Sequence, residues 1–158
     1  MVEKFIRKTG VTAGIFNLVL NPFFAWLGNM ERADVPLGSI AVDTVITCVV
    51  MSLLVSLFTA ADTRRALEAG SLGTAGLSLQ AGSPLRRLPS RPWKLGLLLG
   101  LAFALAVTPC LLGFFALTGV GALSFPAFAL LKAVYTPPVA YVVARWVILR
   151  RLAAALPE

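Results

Sequence analysis

The sequence predicts an all-α integral membrane protein built as a four-helix bundle, and two observations support this fold class. Of the 158 residues, 58% are hydrophobic and 13% are charged, whereas an ordinary soluble domain is about 45–50% apolar and about 25% charged. The chain also holds four apolar stretches of roughly 20–25 residues, each long enough for a helix to cross about 30 Å of hydrocarbon. These stretches fill most of the chain, so we expect a single membrane domain over 1–158.

The four apolar stretches predict the helices in chain order. A short polar loop separates the first two, and a tight Gly-containing turn separates the last two. The second and third are joined by a connection at about 61–92. Because this connection is rich in Gly, Ser and Ala, its middle is either a flexible linker or a helix on the membrane surface. The predicted helices cover about 10–28, 38–60, 93–118 and 123–149.

Basic residues predict the orientation. Lys and Arg cluster before the first helix, in the connection and after the fourth helix, whereas the opposite side carries only Arg32. Because Lys and Arg mark cytoplasmic loops, both termini and the connection should face the cytoplasm of a bacterial cell, across its inner membrane. The net charge of +7 flanks the apolar stretches, which favours contact with anionic lipid headgroups over nucleic acid. The expected headgroup anchors are Arg86, Arg87, Arg91, Trp93 and Arg145.

Two ionisable side chains lie inside predicted membrane helices, Asp43 in the second and Lys132 in the fourth. Since a charge at such a position costs about 2.5–3.5 kcal/mol, we expect the two to form a pair. Further polar side chains recur one helical turn apart at a similar depth, and prolines beside them leave backbone carbonyls in need of partners. The predicted intramembrane polar site comprises Asp43, Lys132, Asn21, Thr108, Asn17, Thr47, Thr136 and Tyr135.

Two pairs of glycines predict close helix packing. Gly10 and Gly14 share a face of the first helix, and Gly96 and Gly100 share a face of the third. Small residues let membrane helices approach closely, either within the chain or between copies. These pairs are also one sign of two similar halves, lying side by side as repeated helical hairpins. Pro and Gly are common in membrane helices, so a chance resemblance between the halves stays an alternative.

The offset between the two halves is nearly constant. The prolines within the first and third helices, Pro22 and Pro109, are 109 − 22 = 87 positions apart, and Asp43 and Lys132 are 132 − 43 = 89 apart. A duplicated hairpin explains both values with a drift of a residue or two. Because each half would then hold two spans, both halves would have the same orientation in the membrane.

Two functions remain open at the level of the sequence. One is a small transporter or permease-like subunit that works as an oligomer, with the Asp–Lys pair contacting the cargo. The other is a non-transporting assembly or interaction protein, in which the pair only holds helices in register. The expected partners are membrane lipids and either further copies of the chain or subunits of a membrane complex.

Enzymatic chemistry is not expected from this sequence. The chain contains no histidine, and its sequence offers no close carboxylate pair, phosphate loop or metal-ligand cluster, so we expect neither catalysis nor a cofactor. The two cysteines, Cys48 and Cys110, fall in apolar stretches without CxxC spacing. They are expected as small core residues rather than as a disulfide.

Overall fold

The computed structural model describes residues 1–28, 33–72 and 84–155, with the side chains of residues 84 and 86 outside the description. The described chain is nearly all helical, and four of its helices are long and apolar enough to span a membrane, which confirms that part of the predicted fold class. These four helices indicate a membrane protein. The elements are α1 (Val2–Gly28), β1 (Asp34–Pro36), α2 (Leu37–Glu68), a 3₁₀ turn (Pro84–Arg87), α3 (Pro92–Thr118), β2 (Ala122–Ser124) and α4 (Phe125–Ala155).

Three of the helices extend further than hydropathy suggested. Helix α1 begins at Val2 instead of 10, α2 continues to Glu68 instead of 60, and α4 continues to Ala155 instead of 149. The added turns are rich in Lys, Arg, Glu and Ala, which are good helix formers, so the helix does not stop where the apolar stretch stops. The connection between α2 and α3 is correspondingly shorter, and its middle, 73–83, for which a linker or surface helix was predicted, lies outside the described residues.

At the end of the bundle where α2 and α4 begin, β1 and β2 pair as a small antiparallel sheet. The sequence suggested only a polar loop and a tight turn at this end. Val35 lies opposite Leu123, and two flanking backbone hydrogen bonds, from Leu37 N–H to Gly121 O (3.3 Å) and from Phe125 N–H to Ala33 O (3.1 Å), continue the ladder. Each strand has three residues, too few for an alternating pattern to be visible in the sequence. The paired strands tie the start of α2 to the start of α4.

Helix packing does not follow chain order. Helix α1 packs mainly against α4, and α2 packs against both α3 and α4, whereas α1 and α2 scarcely meet. Each helix of one expected hairpin therefore lies mainly against a helix of the other hairpin. The order across the bundle is α1, α4, α2, α3.

Glycine positions explain which helices meet. A Cβ at Gly100 would lie 2.7 Å from Val49 Cα, and a Cβ at Gly96 would lie 2.9 Å from Leu53 Cα, so α3 approaches the backbone of α2 directly. On α1, a Cβ at Gly10 would lie 2.6 Å from the Tyr141 ring of α4. Glycine is required at such close approaches because any larger residue would push the helices apart. Both glycine faces are thus occupied by packing within the chain.

Large apolar side chains cover the outside of the bundle. Leu105 is 78% exposed and Leu117 is 90% exposed, as expected of side chains that face lipid rather than water. Cys48 is buried whereas Cys110 is exposed, so the expectation of a core position is wrong for Cys110. Cys110 lies on α3, which together with α2 has the highest hydropathy of the four spans. In such a uniformly apolar helix, hydropathy alone does not indicate which side chains face inward.

Candidate functional site

An ion pair joins α2 to α4 close to the end of the bundle that carries the strands. Lys132 Nζ donates to Asp43 Oδ2 at 2.7 Å, and the Thr47 hydroxyl donates to the same oxygen at 3.4 Å. Asp43 lies six residues after the first residue of α2 and Lys132 seven after the first residue of α4. At about 1.5 Å per residue, both lie about 10 Å from the helix starts. The two charged groups expected to pair are therefore in contact.

Burial differs between the two partners. Lys132 is 2% exposed, and its ammonium stands 5.4 Å from the centroid of the buried Phe128 ring, a distance at which an aromatic ring attracts a cation. The Asp43 side chain is 31% exposed. The pair is neutral as a whole, but the charged group that another molecule can reach is the carboxylate.

Asparagines on α1 extend the polar cluster. Asn21 Nδ2 donates to Asn17 Oδ1 at 2.9 Å, and Asn17 Nδ2 donates to Ala13 O at 2.8 Å. The Thr136 hydroxyl, which bonds Lys132 O at 2.8 Å, also lies 3.3 Å from Asn17 O and so links α4 to α1. Hydrogen bonds of this kind satisfy polar groups that have no water available in an apolar setting.

Two residues of the predicted site do not join this network. The Thr108 hydroxyl and the Tyr135 hydroxyl are buried, and neither makes a hydrogen bond among the described residues, although Tyr135 lies beside Thr47, the residue that donates to Asp43. Thr108 shares the α3 face of Gly96 and Gly100, which packs on α2, whereas the asparagines lie on α1. Sequence spacing gives the depth of a residue along its helix, but not which other helix its face contacts. The face of α3 that carries Thr108 contacts α2, and this contact keeps Thr108 out of the cluster.

Asp43 borders two cavities. One opens near the strands and is lined by Val35, Gly38, Ser39 and Phe128 as well as the carboxylate. The other, of about 240 Å³, lies between α1 and α2, and its polar lining consists of Asn17, Asn21, Asp43, Thr47 and Lys132. The cluster is therefore not sealed inside the bundle, because the carboxylate and the amides face open space on the side where α1 and α2 separate.

The donors and acceptors limit what this cluster can do. Among the described residues, no group of three His, Cys, Asp or Glu side chains is close enough to hold a metal ion. The cluster instead offers a carboxylate, an ammonium, two amides and two hydroxyls. Such a set can bind a small polar or charged molecule by ion pairing and hydrogen bonding.

The predicted headgroup anchors lie toward the ends of α3 and α4 that point away from the strands. Arg87, Arg91 and Arg145 are exposed, and Trp93 is 47% exposed with Lys94 Nζ 5.4 Å from its ring. The Arg86 side chain lies outside the described residues. Exposed Arg and Trp side chains at one level suit the boundary between hydrocarbon and headgroups.

Sequence reasoning missed two residues that hold the site and its surroundings in place. Phe128 packs beside Lys132 and precedes it by one helical turn, a spacing visible in the sequence. Arg150 is buried and its Nε donates to Leu88 O at 2.9 Å, which ties the end of α4 to the segment before α3. An Arg-Arg pair at the end of a span resembles an ordinary anchor, so the sequence held no signal for this contact.

Comparison with known proteins identifies no family for this chain. No protein-family model, no curated protein and no solved structure matches it. What the protein does must therefore be inferred from the polar cluster and its surroundings.

Proposed function

We propose that this is an integral protein of a bacterial inner membrane, a small transporter or permease-like subunit whose polar site is the Asp43–Lys132 pair. One observation carries the proposal: Lys132 is 2% exposed whereas its partner is 31% exposed, toward the cavities beside α1 and α2. A pair that only held two helices together would be best shielded on both sides. A carboxylate left open to a cavity inside a membrane is typical of a group that meets cargo or exchanges a proton.

The alternative is a non-transporting assembly protein, in which the pair is structural. The burial of Lys132 and its contact with Phe128 favour this second function. The glycine faces cannot serve a partner, because they pack against α2 and α4 of the same chain. An assembly partner would instead meet the large apolar side chains on the outside of the bundle.

The orientation we propose has both termini and the connection between α2 and α3 in the cytoplasm. Helix α2 has 32 residues, about 48 Å at 1.5 Å per residue, which exceeds a hydrocarbon core of about 30 Å. The surplus turns carry Arg64 and Arg65, as the positive-inside rule requires. Single cysteines at Gly121 and Ala69, in a Cys48→Ser, Cys110→Ser background, test this: an impermeant maleimide should label the first from outside the membrane and the second only after permeabilisation. The reverse labelling would refute the orientation.

We also propose that the chain is a duplicated hairpin with two-fold pseudo-symmetry about an axis along the membrane normal. The strand register supports this, because Val35 lies opposite Leu123 at an offset of 123 − 35 = 88, and α2 and α4 begin at the same offset, 125 − 37 = 88. The packing of α1 on α4 and of α3 on α2 has the symmetry that such an axis requires.

A charge exchange separates a transport site from a structural pair. Asp43→Lys combined with Lys132→Asp keeps one negative and one positive side chain at these two contacting positions. For a cargo site, we expect the exchange to restore folding that either single change impairs, but not transport. Recovery of both folding and function would support the structural alternative.

Transport itself is tested with purified protein in liposomes under gradients of protons, alkali cations and methylammonium. Wild type should move at least one of them, and Asp43→Asn with Lys132→Met should lower the rate by at least about tenfold, the effect of losing a charge-assisted contact. Asp34→Asn, an exposed carboxylate on β1, is the matched control and should keep the wild-type rate. Absence of movement under every gradient would refute transport of protons and small cations.

A further inference from the structure

The separation of α1 from α2 leaves a groove that runs along the bundle. Both helices pack on α4 but hardly on each other, and two cavities follow one another between them. They share Asn17, Leu20, Met51 and Leu54, so they form one continuous groove. The second cavity, of about 510 Å³, reaches Asp62 on α2.

The groove is as long as a bilayer core is thick. From Asp43 to Asp62 it follows α2 for 62 − 43 = 19 residues, about 28 Å at 1.5 Å per residue. A hydrocarbon core measures about 30 Å. A molecule lying in this groove could therefore extend from the polar cluster to the far side of the apolar region without leaving the protein.

The lining changes character along this length. At the Asp43 end the walls carry amides, a hydroxyl and the partly exposed carboxylate, and the middle carries long apolar side chains such as Phe16, Leu54 and Phe58. Polar side chains return only at the far end, with Thr9, Thr12, Thr59 and Asp62. Phe58 is 68% exposed and Phe16 is 62% exposed, so the groove opens sideways rather than into the bundle. Such a groove suits a ligand with one polar end and one apolar chain.

The charge at the polar end determines the headgroup. Lys132 also lines this cavity but is only 2% exposed, whereas the Asp43 side chain is 31% exposed, so the charge most open to an incoming group is the carboxylate, beside the two asparagine side chains. A primary ammonium donates up to three hydrogen bonds and matches this set, whereas an anionic head would be repelled. A second copy of the chain is a poor occupant, because among the described residues the cation at this depth is Lys132, which is buried and already paired.

We propose that the groove between α1 and α2 binds an amphiphile with a primary ammonium head, which lies at Asp43 while its alkyl chain follows Leu54 and Phe58. The inference rests on the proposed function and specifies its cargo: a lipid-like amine that enters sideways from the bilayer. The cavity beside the strands, which Asp43 also borders, gives the head a way out toward the aqueous side near Ser39.

Photolabelling tests the location and the charge preference together. The probes are dodecylamine and dodecanol with the same chain-borne diazirine, each added to the protein in zwitterionic lipid nanodiscs at pH 7, with crosslinks mapped by mass spectrometry. We expect dodecylamine to label the groove about tenfold more than dodecanol, because a charge-assisted hydrogen bond distinguishes the two heads. Dodecanol controls for partitioning into the bilayer.

Three variants sharpen this experiment. Asp43→Asn with Lys132→Met leaves no unpaired charge and should reduce dodecylamine labelling to the dodecanol level. Leu54→Trp should block the groove, whereas Leu101→Trp is the matched control, since Leu54 is 45% exposed and Leu101, on α3, is 48% exposed. Equal labelling by both probes in wild type, labelling spread equally over α3, or a crosslink between two chains at Leu54 would overturn the proposal.

The outcomes also distinguish this inference from the function on which it rests. Movement of methylammonium that depends on Asp43, without preferential labelling by dodecylamine, would leave a transport site for small cations and refute the amphiphile groove. Preferential labelling without movement of any solute would support the groove as a binding site and refute transport of the solutes tested. Neither labelling preference nor movement would refute both.

Discussion

Asp43→Asn removes the counter-charge of an ammonium that remains buried, and its effect on stability can be estimated from the structure. Lys132 is 2% exposed and its ammonium lies 2.7 Å from the carboxylate. Removing one partner of a buried pair costs about 3–5 kcal/mol, and insertion of a lone charge into a membrane helix costs about 2.5–3.5 kcal/mol. We therefore expect Asp43→Asn to lower the free energy of unfolding by about 3 kcal/mol.

Lys132→Met should be milder, because the carboxylate that it leaves unpaired is 31% exposed and borders two cavities. A loss of about 1–2 kcal/mol is typical of a partly satisfied polar group. The double variant carries neither charge, and since uncharged groups of similar volume often replace a buried pair at no cost, its stability should lie within about 1 kcal/mol of wild type. The single changes are thus expected to be strongly non-additive.

The measurement is unfolding in mixed micelles with an increasing mole fraction of SDS, followed by tryptophan fluorescence and far-ultraviolet circular dichroism. Asp34→Asn serves as the control for the loss of an exposed carboxylate, and it should change the free energy of unfolding by less than about 0.5 kcal/mol. The reasoning is refuted if Asp43→Asn is as stable as this control. It is also refuted if the double variant is as unstable as Asp43→Asn alone.

Two further predictions concern packing and the end of α4. Gly100→Ala should destabilise the protein by about 1–3 kcal/mol in the same SDS assay, because its methyl group would lie 2.7 Å from an α2 backbone carbon. Gly113→Ala is the control and should not destabilise the protein, since a Cβ there would have nothing within 4 Å. Equal effects of the two substitutions would contradict the packing argument. Arg150→Met should speed tryptic cleavage near Leu88 by removing the 2.9 Å hydrogen bond to its carbonyl, while Arg151→Met at the neighbouring position should leave that cleavage rate unchanged. An unchanged rate in Arg150→Met would show that this contact does not hold the segment.

Hydropathy was sufficient for the number and order of the helices, since lipid-length apolar stretches have few alternative structures. It was not sufficient for their ends, because residues such as Arg64 and Glu68, whose side chains pair at 2.9 Å, continue α2 beyond its apolar stretch. It could not reveal β1 and β2 either, because three-residue strands form only when two loops that are distant in sequence meet. The neighbours of each helix likewise depended on where glycines allowed close approach.

The candidate site was predictable in part for similar reasons. Opposite charges such as Asp43 and Lys132 attract strongly where water is scarce, so their contact follows from their presence in two spans of similar depth. The positions of Thr108 and Tyr135 depend instead on which side of each helix faces which neighbour. The sequence gives the angle between residues on one helix, but not the rotation of that helix relative to the others.

The two charges lie one position apart in the proposed halves, since Asp43 is six residues after the start of α2 and Lys132 seven after the start of α4. On a two-fold axis, equivalent positions of the two halves face each other, as Val35 and Leu123 do in the strands. Two copies of the same charge would repel at this place, whereas Asp43 and Lys132 form a neutral pair.

The same axis shows where the two halves differ. The proposed groove lies between α1 and α2, and its counterpart would lie between α3 and α4. At the offset of the two helix prolines, 109 − 22 = 87, Asn17 corresponds to Ala104 and Asn21 to Thr108, so the amides that line the first groove are replaced by a methyl group and a hydroxyl. Because packing alone would treat the two sides alike, a polar lining on one side supports the proposal that a ligand binds in the first groove.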